Sequence, residues 1–166
     1  MKKRILSAVA LLCMVVCLSG CSSNQGVDVD SIEWVTEGLE EYYTFQVPIQ
    51  WEGANTEFGA LDDPDVPGGV SIYRQMEYGT VERYMESEDI IPSGRSLETK
   101  EPMVIGGQRG YHYVLSSFYY DDNGQPTTTY FDHYAFEANG AVFDVWFNPI
   151  TDKNVREYII NSITIL

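Results

Sequence analysis

The residues able to carry chemistry fall into three groups. Two acidic runs, Asp62-Asp63-Pro64-Asp65 and Asp121-Asp122-Asn123-Gly124, set carboxylate and amide oxygens side by side. Such hard oxygens are what calcium takes, about six to eight at a time. Neither run has the D-x-[DN]-x-[DN]-G spacing with a distal glutamate, and Pro-Asp and Asn-Gly are ordinary turn residues. Both are expected to be turns. His112 and His133, with Asp132 beside the second, could supply imidazole ligands or a proton-transfer pair. A zinc site needs a third and a fourth ligand, and no H-E-x-x-H spacing provides them. The histidines are therefore expected to pair across a polar sheet face, with no metal and no cofactor. For nucleophilic catalysis there is neither G-x-S-x-G nor S-x-x-K. A triad assembled by the fold, or two carboxylates at a hydrolytic separation, would leave no sequence signature. The third group is aromatic, from Tyr111 through Phe118, Tyr119, Tyr120, Tyr130, Phe131 and Tyr134 to Trp146 and Phe147. Neighbours on a strand point to opposite faces, so Tyr119 and Tyr120 cannot enter one core, nor can Trp146 and Phe147. Helices on both sheet faces would bury both sets, which is the expectation; an open face would be a binding surface.

The cysteines belong to a different kind of chemistry. Lys2, Lys3 and Arg4 precede an apolar run from Ile5 to Leu18, and small residues lead to Cys21. That order is the order of an export signal, and the run is shorter than the roughly 20 residues of a spanning helix. Leu18-Ser19-Gly20-Cys21 resembles the lipobox of bacterial lipoprotein precursors. The resemblance implies cleavage before Cys21 and a diacylglyceryl group on its sulfur, with residues 1–20 as signal peptide. Two acyl chains hold a protein to a bilayer where one does so only marginally, at about 0.8 kcal/mol per buried methylene. Cys13 and Cys17 lie within the signal, so the processed chain has no thiol for a disulfide, a nucleophile or a metal.

Removing residues 1–20 takes away three cations and leaves 7 Lys+Arg against 25 Asp+Glu, a formal charge of −18. Such a surface repels phosphate backbones and anionic headgroups. Nucleic acid is thereby disfavoured as a partner, and membrane attachment has to be covalent. Cationic ligands or a basic partner surface remain compatible with it.

The elements that must position these residues are mostly strands. Residues 21–30 are small and polar and read as a lipidated tether. Residues 31–166 suit one domain, a usual size at about 140 residues. Ile32–Thr36 is strand-like, and Glu37-Gly38 reads as a turn. Tyr43, Phe45 and Val47 then alternate up to Pro48. Residues 52–69, rich in Gly, Pro and Asp, read as a surface loop. A strand over Val70–Tyr78 puts Val70, Ile72 and Met76 on one face, and Thr80 caps a short helix carrying Val81, Tyr84 and Met85. A meander follows: Thr99–Ile105, Gln108–Tyr120, Pro126–Glu137 and Ala141–Phe147, joined at Gly106-Gly107, Asp121–Gly124 and Asn139-Gly140. Thr151 is expected to cap a helix to about Ile160, and Ser162–Leu166 to return as a strand. The sum is an α+β fold, a largely antiparallel β-sheet packed with helices; shorter helices would make it a β-sandwich.

Three stretches are similar to the PsbP-like and Mog1-like domains. They are Phe45-Gln46-Val47-Pro48 with Trp51, the pair around Gly106-Gly107-Gln108-Arg109-Gly110-Tyr111, and the close from Val142–Phe147 to Ile160-Asn161-Ser162-Ile163. The resemblance runs from about Glu41 to Leu166 and implies an α-β-α sandwich and a non-enzymatic binding or accessory role. The expected protein is a lipid-anchored module on the extracytoplasmic face of a cell membrane, engaging an envelope protein or a ligand. The alternative is a small envelope hydrolase using carboxylate or histidine chemistry, in which His112→Ala or His133→Ala abolishes activity at unchanged melting temperature. Cys21 is the one assigned site residue, as the lipid attachment point.

Overall fold

Alternating apolar residues build the body of the molecule. The structure, a computed structural model, describes residues 26–54 and 56–166; the signal segment and Cys21 lie outside the described residues. Ten strands form two antiparallel sheets. The larger has the order β3-β4-β5-β9-β8-β7-β6, from β3 (Glu52–Ala54), β4 (Glu57–Ala60), β5 (Gly68–Gln75), β6 (Arg95–Ile105), β7 (Gln108–Tyr120), β8 (Pro126–Ala138) and β9 (Ala141–Phe147). The smaller is β1 (Trp34–Leu39), β2 (Tyr43–Pro48) and β10 (Thr164–Ile165), with β2 in the middle. Among the described residues two α-helices complete it, α1 (Val81–Glu86) and α2 (Lys153–Ser162). The α+β class read from the sequence is the class observed.

Both faces of the large sheet are covered, by different means. On one face Ile72, Tyr134, Phe136, Phe143 and Val145 meet Tyr43, Phe45 and Val47 of β2 and Val155, Ile159 and Ile163 at α2. A small sheet as well as a helix therefore closes this side. On the other face Val81, Tyr84 and Met85 of α1, with Ile90, close over Tyr113, Leu115, Ala135 and Val142. α1 is only six residues long and covers only part of the face. Residues 27–30, the end of the stretch read as a tether, lie against the body. Val27 and Val29 pack on the main core, Asn154 donates to the Val27 carbonyl at 3.1 Å, and Trp34 stacks on Tyr158 with ring centroids 4.0 Å apart.

Several expectations change. Glu37-Gly38 lies within β1, because the reversal falls at Glu40–Tyr42 instead, with Glu41 at φ 74°. Gly38 serves close strand approach: a Cβ there would stand 2.3 Å from the Tyr43 carbonyl oxygen. The stretch read as a loop over 52–69 holds the short hairpin β3–β4. Met76 lies past the end of β5 and is 76% exposed, so it does not share the inward face of Val70 and Ile72. Asp152, not Thr151, caps α2, accepting from the Asn154 amide at 2.8 Å. Buried Thr151 instead bonds Gly69, accepting from its N–H at 3.0 Å and donating to its carbonyl at 3.2 Å. Ser162 ends α2, and the last strand shrinks to Thr164–Ile165.

Candidate functional site

Register decides which chemistry-bearing side chains meet. His112 stands opposite Tyr134, and Tyr113 opposite His133. The two histidines therefore point to opposite faces of the sheet, and the cluster of His112, His133 and Asp132 is not assembled. Asp132 goes with His112, whose Nε2 is 2.8 Å from Oδ1, and Arg156 of α2 donates to Oδ2 at 2.6 Å. The His112 hydrogen bond, with the Arg156 charge, holds the Asp132 carboxyl below its ordinary range against the opposing effect of burial. A cleft of about 360 Å³ lies beside this pair, walled by Met103, Tyr134 and Arg156.

On the opposite face, His133 belongs to a buried polar group. Its ring stacks on Tyr113 at 4.8 Å between centroids, and its Nδ1 lies 3.3 Å from the Asp144 carboxylate. Tyr84, from α1, donates to Asp144 at 3.2 Å, and the Tyr84 and Tyr113 hydroxyls are 3.4 Å apart. Burial first, then the Asp144 charge, pushes both phenols well above their ordinary pKa, so they remain protonated donors. Nε2 of His133 is buried without a hydrogen-bond partner. An aspartate-held imidazole has the order of a general base, but this one is 5% exposed beneath α1.

The same sheet row continues out of the core. Cross-strand pairing runs Glu57–Ser71–Trp146–His133–Tyr113 across β4, β5, β9, β8 and β7. The next row is Glu52–Gly59–Gly69, with the Asn148 N–H bonded to the Gly69 carbonyl. α1 covers the His133 end of the first row and leaves the other end open. There a trough of about 360 Å³ forms. The facing glycines Gly59 and Gly69 make its floor of bare backbone, Trp146 and Ser71 one wall, and Leu61 and Asn148 the other. Glycine at 59 is required by packing as well, since a Cβ would stand 2.8 Å from the Gly68 carbonyl oxygen. Glu52 stands on the edge strand β3 and Glu57 on β4 beside it. The Tyr73 hydroxyl donates to Glu57 and is held protonated chiefly by that bond, with Ser71 and Trp146 also in reach. Sequence reading assigned none of these residues to a site. The one signal was Trp146, whose alternation with inward Val145 and Phe147 turns it to the other face.

The remaining candidates resolve simply. Asp63 Oδ1 accepts from the Asp65 and Val66 amides at 2.9 and 2.7 Å, and Asp121 Oδ1 from Asn123 and Gln125 at 2.9 and 2.8 Å. Both acidic runs are side-chain-closed turns, and among the described residues no three His, Cys, Asp or Glu side chains are placed to hold a metal. Burial of the aromatics holds for Tyr113, Tyr134, Phe136, Phe143 and Phe147 but fails for Phe118, Tyr119, Tyr120 and Tyr130, which are 46–67% exposed. The reason is length. β9 pairs with β8 only from His133 and β6 with β7 only as far as Ser117, so the far end of the β7–β8 hairpin projects as a ribbon, flanked by β6 alone at Tyr130 and two-stranded from Phe118 to the tip. Among the described residues no helix is long and apolar enough to cross a membrane.

No family model matches this chain, and no curated protein does. Several solved structures are similar in shape, two of them as follows. Cyanobacterial PsbP from Synechocystis has 16% sequence identity and a TM-score of 0.49, over 90% of this chain and 99% of that one. A Pseudomonas aeruginosa protein of unknown function has 15% identity and a TM-score of 0.40, over 75% of this chain and 87% of that one. The α+β architecture stands on this chain's own strands and helices, and neither likeness assigns it a role.

Proposed function

We propose that the chain is a lipid-anchored binding or accessory module, held outside the cytoplasmic membrane through Cys21, that engages an envelope protein or a ligand without catalysing a reaction. The observation that carries the binding reading is the half-open sheet face. A row of polar and aromatic side chains begins in the core and emerges into a trough with a backbone floor and a tryptophan wall. Binding sites are typically concave, largely preformed and lined by aromatic groups with a few placed polar ones. The anchoring half rests on the signal segment and its lipobox-like end.

A specific feature favours the hydrolase alternative, namely the Asp144-held His133 with its free Nε2. Its surroundings argue the other way. The imidazole is stacked on Tyr113 under α1, and Ser71, the one serine of its row, lies beyond Trp146. His133 is also core, so its substitution would lower stability whatever its role, and unchanged melting could not accompany it.

The test is crosslinking of the native chain in its own membrane, followed by affinity capture and mass spectrometry, with Cys21→Ala as control. The proposal expects a reproducible adduct that disappears with the anchor. An identical adduct pattern from Cys21→Ala, recovered as processed and lipid-bearing protein, would overturn it.

A further inference from the structure

The trough also bears on what it takes, granted the reading above that it is the binding surface. Its lining contains two carboxylates, Glu52 and Glu57, and no Lys, Arg or His. Neither carboxylate has an ion-pair partner among the described residues, whereas Glu82, Asp132, Asp144 and Glu157 all face a cationic or imidazole group. Tyr73 fixes one of them by donating to Glu57. Between the two carboxylates, on β3 and β4, and the Trp146 wall, the floor carries no side chain at Gly59 and Gly69, so a flat group can lie against backbone. A carboxylate pair beside an indole face attracts an ammonium twice, by charge and by the ring quadrupole. The chain as a whole, at a net −15, concentrates cations near its surface and repels anions. An uncharged polyol would call for donors and acceptors in comparable number, and here the side chains are weighted toward acceptors.

We propose that the trough over Gly59 and Gly69 binds a small organic cation with a flat apolar group, its ammonium held by Glu52 and Glu57 and its flat face on Trp146.

The probe is benzyltrimethylammonium, titrated into the 15N-labelled full chain in neutral detergent, with benzyl alcohol as the uncharged counterpart. The expected result is saturable shifts of the Trp146 indole N–H and of the Gly59 and Gly69 amides, absent with benzyl alcohol. Glu52→Gln/Glu57→Gln, which alters two exposed side chains and spares the fold, should weaken binding about tenfold, the sum of two partly exposed charge contacts. Trp146→Phe, which keeps a ring in the wall, should weaken it less than the double variant. Equal binding of benzyl alcohol, undiminished binding by the double variant, or no shift at these three groups would each overturn the inference. If methyl α-glucoside shifts the same three groups, the cation is wrong and the trough remains a binding surface; if no probe moves them, the reading of the trough falls as well.

Discussion

Asp132 ties three elements together. It lies on β8, takes His112 of β7 on one oxygen and Arg156 of α2 on the other, and is only 20% exposed. A carboxyl held below its ordinary value of 3.8 stabilises the fold above that pH and loses the contribution as the pH falls through the lowered value. Asp132→Asn leaves Arg156, itself 18% exposed, without its anion, and is expected to cost about 1–3 kcal/mol at pH 7. Urea unfolding at pH 7 and again well below pH 3.8 checks this: the gap between variant and parent should close at the lower pH. A gap that is undiminished in acid would show that the ion pair is not its source. His133 and Asp144 make a different use of burial. With Tyr84 and Tyr113 kept protonated against them, the pair is a buried polar core, and Trp146 is the cross-strand neighbour of His133. Tyr43 and Tyr134, pushed up to about 12 by burial, stay neutral at any physiological pH.

α2 is the element that fixes the far side of the sheet. Val155, Ile159 and Ile160 enter the main core, and Ser162 at its end accepts from the Gln46 amide at 2.8 Å, bridging to the small sheet. Ile159 is fully buried, so Ile159→Ala should lose about 2–5 kcal/mol by transfer and cavity terms, while Tyr130→Ser on the exposed ribbon should lie within about 0.5 kcal/mol of the parent. Urea denaturation of the two variants checks the contrast, and equal losses would contradict the assignment of the core. The elements that were legible in the sequence are those whose period sufficed. β7, β8 and β9 alternate cleanly and are joined at Gly-rich or Asn-Gly turns, and α1 follows its Thr80 cap. β3 and β4 were not legible, because a short hairpin under an open face needs few apolar residues and uses Gly53 and Gly59 where backbones approach closely. The extent of β7 and β8 was legible, but the exposure of their tips was not. Strand length is local, whereas the reach of β6 and β9 alongside is a tertiary fact. The trough was hidden for the same reason: Glu57, Ser71 and Trp146 are brought together only by the register of β4, β5 and β9.

At the scale of the molecule, the proposed anchor and the observed fold constrain one another. Val27 is pinned to the body by Asn154 of α2, so a lipid on Cys21, as proposed, would lie within five peptide steps of Gly26, a reach of at most about 18 Å. Under the proposed anchoring, the face that carries residues 27–31 and the start of α2 would be held near the bilayer. With the three basic residues of the leader removed, as the proposed processing implies, the remaining −18 surface would add no electrostatic grip of its own. The proposed function places the meeting with a ligand or partner on the half of the sheet face left open by α1. The most direct measurement places a photoreactive residue at Ser71, inside the trough, and separately at Val104, which is 70% exposed on the opposite edge strand. Each chain is irradiated in its native membrane and the product is read by intact mass. The account predicts a discrete, saturable adduct from position 71 that position 104 does not give. Adducts at both positions alike, or from position 104 alone, would contradict it.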